Sequence, residues 1–142
     1  MINVILATHG ELAEALLGSS KMVYGKLTHV FPVMLSETKG INSFRDEFAE
    51  VLKQASKGAD GVIVLCDMQS GTPWNIACHH AFNPQTQPPV AVLAGVNFPM
   101  LLLSDEIKEL QDLEQAAAQL LEQTQETLVQ ARLAETAQSD DF

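Results

Sequence analysis

The chain has 142 residues, enough for one domain with a substantial core, and 46% hydrophobic against 18% charged residues mark it as globular and not disordered. No apolar run approaches the roughly 18 residues that span a bilayer, and the amino terminus lacks the basic flank and small-residue cleavage site of a secretory signal. A formal net charge of −10 leaves no basic face to neutralise nucleic-acid phosphates.

The charge is unevenly placed. Residues 1–103 carry eight acidic and six basic side chains, net −2, whereas residues 104–142 carry ten and two, net −8. Such an acidic end favours solubility first and a basic partner second. The two cysteines, Cys66 and Cys78, lie in apolar segments at a spacing that fits no metal or redox motif. Reduced thiols in a cytoplasmic protein are expected.

Taken in order, residues 2–7 are an almost wholly apolar run of strand formers, the pattern of a strand buried on both faces in a parallel sheet. The run breaks at Thr8-His9-Gly10, and an amphipathic helix is expected over 12–23, ended by Gly25. A second strand covers 29–34, where Pro32 suggests an edge position. Ile41, Phe44, Phe48, Val51, Leu52 and Ala55 then share one helical face, with Asn42 or Ser43 available as the cap.

The turn 58–61 enters a third apolar strand over 62–66, and Asp67 follows it directly. The loop 68–73 leads into a helix through about Ala81, with Pro73 suited to a first turn. After a proline-rich turn over 83–89 come a fourth strand over 90–94, the segment Gly95-Val-Asn-Phe-Pro99 and a short helix from Met100. The stretch between Met100 and Leu113 is compact and acidic. Positions 113, 117, 120, 121, 124, 128 and 131 describe a final helix over 113–133, followed by a frayed end. There is no internal repeat and no linker to a second domain.

Alternating strands and helices with short connections imply an α/β fold: a doubly wound, mainly parallel four-stranded sheet between two helix layers. The expected strand order is 2-1-3-4, with the topological switch point between strands 1 and 3. His9 and Asp67 follow those two strands, so the fold brings an imidazole and a carboxylate to one crevice. A carboxylate bonded to one ring nitrogen fixes the tautomer and leaves the other nitrogen as a nucleophile. The loop before the third helix offers backbone N–H groups and a positive helix end, with Ser70 and Thr72 as further donors, an arrangement suited to phosphoryl transfer.

Each residue also has an ordinary use. His9 could be a structural hydrogen-bonding group and Asp67 a turn cap, and Ser70, Gly71 and Thr72 are common loop residues. Asn97 and Pro99 could simply end a strand and start a helix. His29, His79 and His80 are read as structural or surface residues, and adjacent histidines on a helix make a poor metal clamp. Cys66 is read as core. The absence of GxSxG, P-loop and GxGxxG motifs argues against the corresponding hydrolases, nucleotidases and dinucleotide enzymes.

Three blocks resemble the enzyme IIA domains of the mannose-type (mannose/fructose/sorbose) sugar phosphotransferase system: Ile5-Leu-Ala-Thr-His-Gly10, Val64-Leu-Cys-Asp-Met-Gln-Ser-Gly-Thr-Pro-Trp-Asn75 and Ala94-Gly-Val-Asn-Phe-Pro-Met100. The resemblance implies a IIA phosphocarrier domain over 1–133 with a flexible acidic tail over 134–142. It implies a phosphotransferase component in which His9 takes a phosphoryl group from the carrier HPr and passes it to a histidine of a separate IIB protein. Sugar uptake would then run through membrane IIC and IID subunits. By the same resemblance Asp67 orients His9, Ser70, Gly71 and Thr72 surround the phosphate, no cofactor or metal is needed, and the protein is a homodimer.

In members of that family a strand near the carboxyl end can be exchanged between subunits. The final stretch here reads as helix with no obvious strand, which counts against a strand-swapped dimer but not against dimerisation, and leaves open whether a strand is exchanged. Two other readings are carried forward: the phosphotransfer subunit of a dihydroxyacetone kinase, and a regulatory binding module of the same fold. A metal hydrolase lacks a ligand set of recognisable spacing.

Overall fold

Strands and helices alternate from Ile2 to Ile107, and a further helix follows, in the computed structural model, which describes residues 1–133; the expected tail over 134–142 lies outside the described residues. The order is β1 (Ile2–His9), α1 (Leu12–Val23), β2 (Val30–Leu35), α2 (Gly40–Ser56), β3 (Gly61–Cys66), α3 (Thr72–Ala81), β4 (Val90–Ala94), α4 (Phe98–Ile107) and α5 (Leu113–Gln125). The four strands are parallel in the order β2-β1-β3-β4, as the sequence predicts.

Side-chain alternation divides the core in two. Ile2, Val4 and Leu6 of β1, with Ile63 and Leu65 of β3, face α1, α4 and α5. Ile5 and Ala7, with Val62, Val64 and Cys66, face α2 and α3. On that second face Phe44 and Phe48 are fully buried with their ring centroids 6.1 Å apart. Each such ring contributes about 1.5–3 kcal/mol through removal from water. Asn3, a polar side chain near the start of β1, donates from Nδ2 to the Ala55 carbonyl at 2.8 Å and so satisfies one of the open carbonyls ending α2.

Several boundaries differ from expectation. β1 continues through His9, because β2 runs to Leu35 and the Gly10 N–H bonds the Leu35 carbonyl at 2.8 Å. Neither Asn42 nor Ser43 caps α2, which starts at Gly40. Their side chains instead pair within the first turns, Asn42 Oδ1 accepting from Arg45 and Ser43 Oγ donating to Glu47. Ile41, expected on the buried face, is exposed in that first turn.

The largest correction concerns the last helix, which stops at Gln125 and not near 133. The Thr124 hydroxyl donates to the Leu120 carbonyl, and both the hydroxyl and the N–H of Thr127 bond the Thr124 carbonyl. Such local bonds offer the chain an alternative to another helical turn. Leu128 and Val129, 73% and 83% exposed, also have no layer to pack on among the described residues, so no buried face there supports a longer helix.

The two sheet edges are unlike. Bonds from the Val4 N–H to the His29 carbonyl and from Gly10 to Leu35 point odd-numbered residues of β2 at β1. Even-numbered residues therefore face outward, and Pro32 removes an N–H from the middle of that free edge. At the other edge, the Val62 N–H bond to Pro89 turns Val90 and Val92 outward with their N–H groups intact.

Candidate functional site

The site is assembled where β1 and β3 end side by side. The ladder that points the even-numbered N–H groups of β1 at β2 points the His9 N–H at β3. There β3 has ended, and the side chain of Asp67 takes the place of a strand carbonyl. Its Oδ2 accepts from the His9 backbone N–H at 3.0 Å and lies 2.9 Å from His9 Nδ1. An ionised carboxylate can only accept, so Nδ1 carries the proton and Nε2 keeps its lone pair.

Three further features hold the histidine. Gly10 turns the chain with φ +59°. Thr8, fully buried, accepts from the Ala13 N–H at 2.9 Å through Oγ1, tying the start of α1 back to the strand. Glu11, at the nominal cap position, makes no such bond. This role of Thr8 was not foreseen from the sequence, although a threonine just before a helix is the usual capping signal. Finally, Gly71 lies against the ring. A Cβ added to Gly71 would lie 2.7 Å from His9 Cε1 and 3.1 Å from Nε2.

The sequence-predicted residues thus come together, with different exposures. The Asp67 side chain is 14% exposed, and that of His9 is 41% exposed. Asp67 Oδ1 is buried and has no hydrogen-bond partner among the described residues. Ser70 stands at φ +69°, a left-handed conformation uncommon for a residue other than glycine. Gly71 caps α3 without a side chain, and Pro73 in the first turn has no N–H. The N–H groups of Thr72 and Trp74 and the hydroxyls of Ser70 and Thr72 have no acceptor or donor among the described residues, so they are available to an anion.

The other titratable side chains lie elsewhere. His29 is buried beneath α4, with Nε2 2.9 Å from Ser104 Oγ and Nδ1 3.8 Å from Asp105 Oδ1. Burial pushes its pKa down to about 4, against the pull of Asp105 and with a smaller push from Lys108. The acidic segment after Met100 is thereby given a structural part, since Asp105 also pairs with Lys108. His79 is exposed and His80 half-buried against Phe48, its pKa lowered by burial and by His79. Burial pushes the Cys66 thiol up to about 12, with Asp67 and Cys78 adding to the rise. Such a thiol is inert.

Residues 3–121 match the family model described as PTS system fructose IIA component. Over 102 residues the chain is 32% identical to the PTS system fructose-specific EIIA component of Bacillus subtilis, spanning 72% of this chain and 67% of that protein. The PTS system sorbose-specific EIIA component of Lacticaseibacillus casei is 23% identical over 99% of this chain and all of its own length, 100%. Among solved structures, the mannose/sorbose specific IIA subunit of the phosphotransferase system from Enterococcus faecalis superposes with a TM-score of 0.78 at 28% identity, over 92% of this chain and 95% of that one. The phosphotransferase system component EIIA from Streptococcus agalactiae has the same fold, with a TM-score of 0.80 at 21% identity over 92% and 97%.

Proposed function

This chain belongs to the mannose-type EIIA family of the sugar phosphotransferase system, and from that premise we propose that His9 is its phosphoryl-carrying residue. The observation that carries the reading is the double contact of Asp67 with His9, which leaves Nε2 unprotonated on a side chain that is 41% exposed. Nε2 attacks the phosphorus of a phosphohistidine on HPr. The new N–P bond forms as the donor's N–P bond breaks, and the donor imidazole leaves with the electron pair. The proton stays on Nδ1, where the Asp67 carboxylate stabilises the ring as it gains positive character.

The loop over 70–72 and the start of α3 supply the remaining stabilisation. Free N–H groups of Thr72 and Trp74, the two hydroxyls and the helix dipole all favour the phosphoryl oxygens. Gly71 lets this backbone approach the ring closely enough to reach them. The group then passes by the same displacement to a histidine of a IIB protein, coupled to IIC and IID subunits that move the sugar. The acting unit is the domain over 1–133. It works in the cytoplasm, where the donor is found, and no helix among the described residues is long and apolar enough to cross a membrane.

The protein works as a homodimer in this reading. The open β4 edge and the exposed Leu128 and Val129 after α5 support pairing. Since residues 126–132 are not helical, the helical reading that counted against an exchanged strand no longer holds there. The family model and the named relatives favour a sugar transporter component over a dihydroxyacetone kinase subunit.

The test is incubation of the purified protein with phosphoenolpyruvate, enzyme I and HPr, followed by intact mass. Gain of one acid-labile phosphoryl group that is lost in His9→Ala is the expected result. No gain by the unaltered chain would move the regulatory binding module to first place.

A further inference from the structure

A phosphoryl group on His9 sits on a good leaving group. The Asp67 carboxylate keeps the proton on Nδ1, so a ring carrying phosphate on Nε2 is cationic. Such a ring departs readily with the N–P electron pair. That readiness serves transfer to a partner and equally serves loss to water. In hydrolysis the water oxygen bonds to phosphorus, the N–P bond breaks toward Nε2, and dihydrogen phosphate leaves with the water's protons. The His9 side chain is partly exposed, so burial of the ring does not keep water away.

The hydroxyl and N–H donors around the ring give no such protection, since each of them also binds water. Among residues 67–72 the only apolar side chain is that of Met68. It is exposed, in a loop whose other residues are polar or glycine, yet its stem lies at the site. The position that a Cβ on Gly71 would occupy is 3.6 Å from Met68 Cγ, 3.1 Å from His9 Nε2 and 2.7 Å from His9 Cε1. The methionine stem and the ring edge with the attacking nitrogen therefore border one small space, which Gly71 leaves open by having no side chain. The Sδ and Cε atoms continue beyond Cγ on freely turning single bonds.

We propose that Met68 is the cover of the phosphorylated state: its thioether arm lies over the phosphoryl group on His9 and slows the loss of that group to water. The inference rests on the reading of His9 as the phosphoryl carrier and adds what sets the carrier's lifetime. The side chain suits the part on two counts. It is unbranched and adaptable, so it folds aside when the histidine of a partner protein approaches. Its sulfur is only a weak acceptor, so it holds no water beside the phosphorus.

The test follows loss of phosphate from the purified phosphoprotein by intact mass in the unaltered chain, Met68→Leu, Met68→Gln and Met68→Ala. Leucine and glutamine are close to methionine in size and differ in polarity. Each protein is loaded in two ways, from phospho-HPr and with phosphoramidate, a small donor that needs no protein partner. His9→Ala taken through the same loading reports any phosphate on other histidines. Met68→Ala and Met68→Gln are expected to lose phosphate about three- to tenfold faster than the unaltered chain, and Met68→Leu to stay within about twofold of it.

Equal lifetimes in all four proteins would overturn the cover and leave the phosphocarrier reading intact. A loss as fast in Met68→Leu as in Met68→Gln would also overturn it, because a residue that only shapes the loop does not distinguish the two. A lifetime that depends on Met68 after phosphoramidate loading, with no uptake from phospho-HPr, would overturn the phosphocarrier reading and leave the cover standing. Failure of His9 to load by either route would overturn both.

Discussion

A single oxygen, Oδ2 of Asp67, receives both the backbone N–H of His9, at 3.0 Å, and its ring Nδ1, at 2.9 Å. The carboxylate therefore does two separable things, holding the strand end and setting the ring's tautomer and charge. Asp67→Asn keeps an oxygen able to accept both bonds but removes the charge. Its rate of phosphoryl uptake should fall roughly tenfold, and that of Asp67→Ala roughly a hundredfold or more. Nitrogen NMR of the ring should show the proton still on Nδ1 in Asp67→Asn and shared between the nitrogens in Asp67→Ala.

Gly71→Ala tests whether the loop must touch the ring. The backbone at Gly71 (φ −97°, ψ 175°) suits any residue, so the conflict is only with His9, whose ring can swing outward. Unfolding stability should change by less than about 1 kcal/mol. Phosphoryl uptake should nevertheless fall at least about tenfold, because a displaced ring loses its bond to Asp67. Denaturant melts and transfer rates on the same preparation separate the two effects.

Thr8→Val removes the hydroxyl that receives the Ala13 N–H and leaves that buried donor unpaired. A loss of about 1–2 kcal/mol in denaturant unfolding is expected, with Thr8→Ser retaining most of it. The turn carrying His9 should loosen with it, seen as faster amide exchange at Gly10 in Thr8→Val.

His29 makes stability depend on pH. Its folded pKa lies near 4 because burial disfavours the charged ring, against about 6.5 in the unfolded chain. Between those values the unfolded state binds more protons, so stability is full above about pH 6.5 and falls as the pH drops toward 4. The difference amounts to about 3 kcal/mol. His29→Gln should flatten the stability profile between pH 6.5 and 4 relative to the unaltered chain, when both are followed by urea unfolding across that range.

The elements most legible in the sequence were those whose pattern is dictated by burial on both faces. β1 and β3 are unbroken apolar runs, and Asp67 directly follows one of them. The strand order and the meeting of Asp67 with His9 followed from that. The misplaced features are those decided by partners distant in sequence or by competing local bonds. Leu35 holds β1 open to His9, Thr8 caps a helix that begins four residues later, and Thr124 and Thr127 draw the chain out of α5 despite apolar positions continuing at helical spacing. The contact between Gly71 and the His9 ring joins the end of β1 to the start of α3 and has no counterpart in either segment alone.

The unequal sheet edges bear on how far this molecule could self-assemble. A sheet with two open edges can recruit a neighbour on each side and grow without limit. Among the described residues, Pro32 stops the β2 side and leaves the β4 side to accept a strand. Two copies joined through β4 would each present a proline-plugged edge outward. Association through strands would then end at a pair, with no filament to follow.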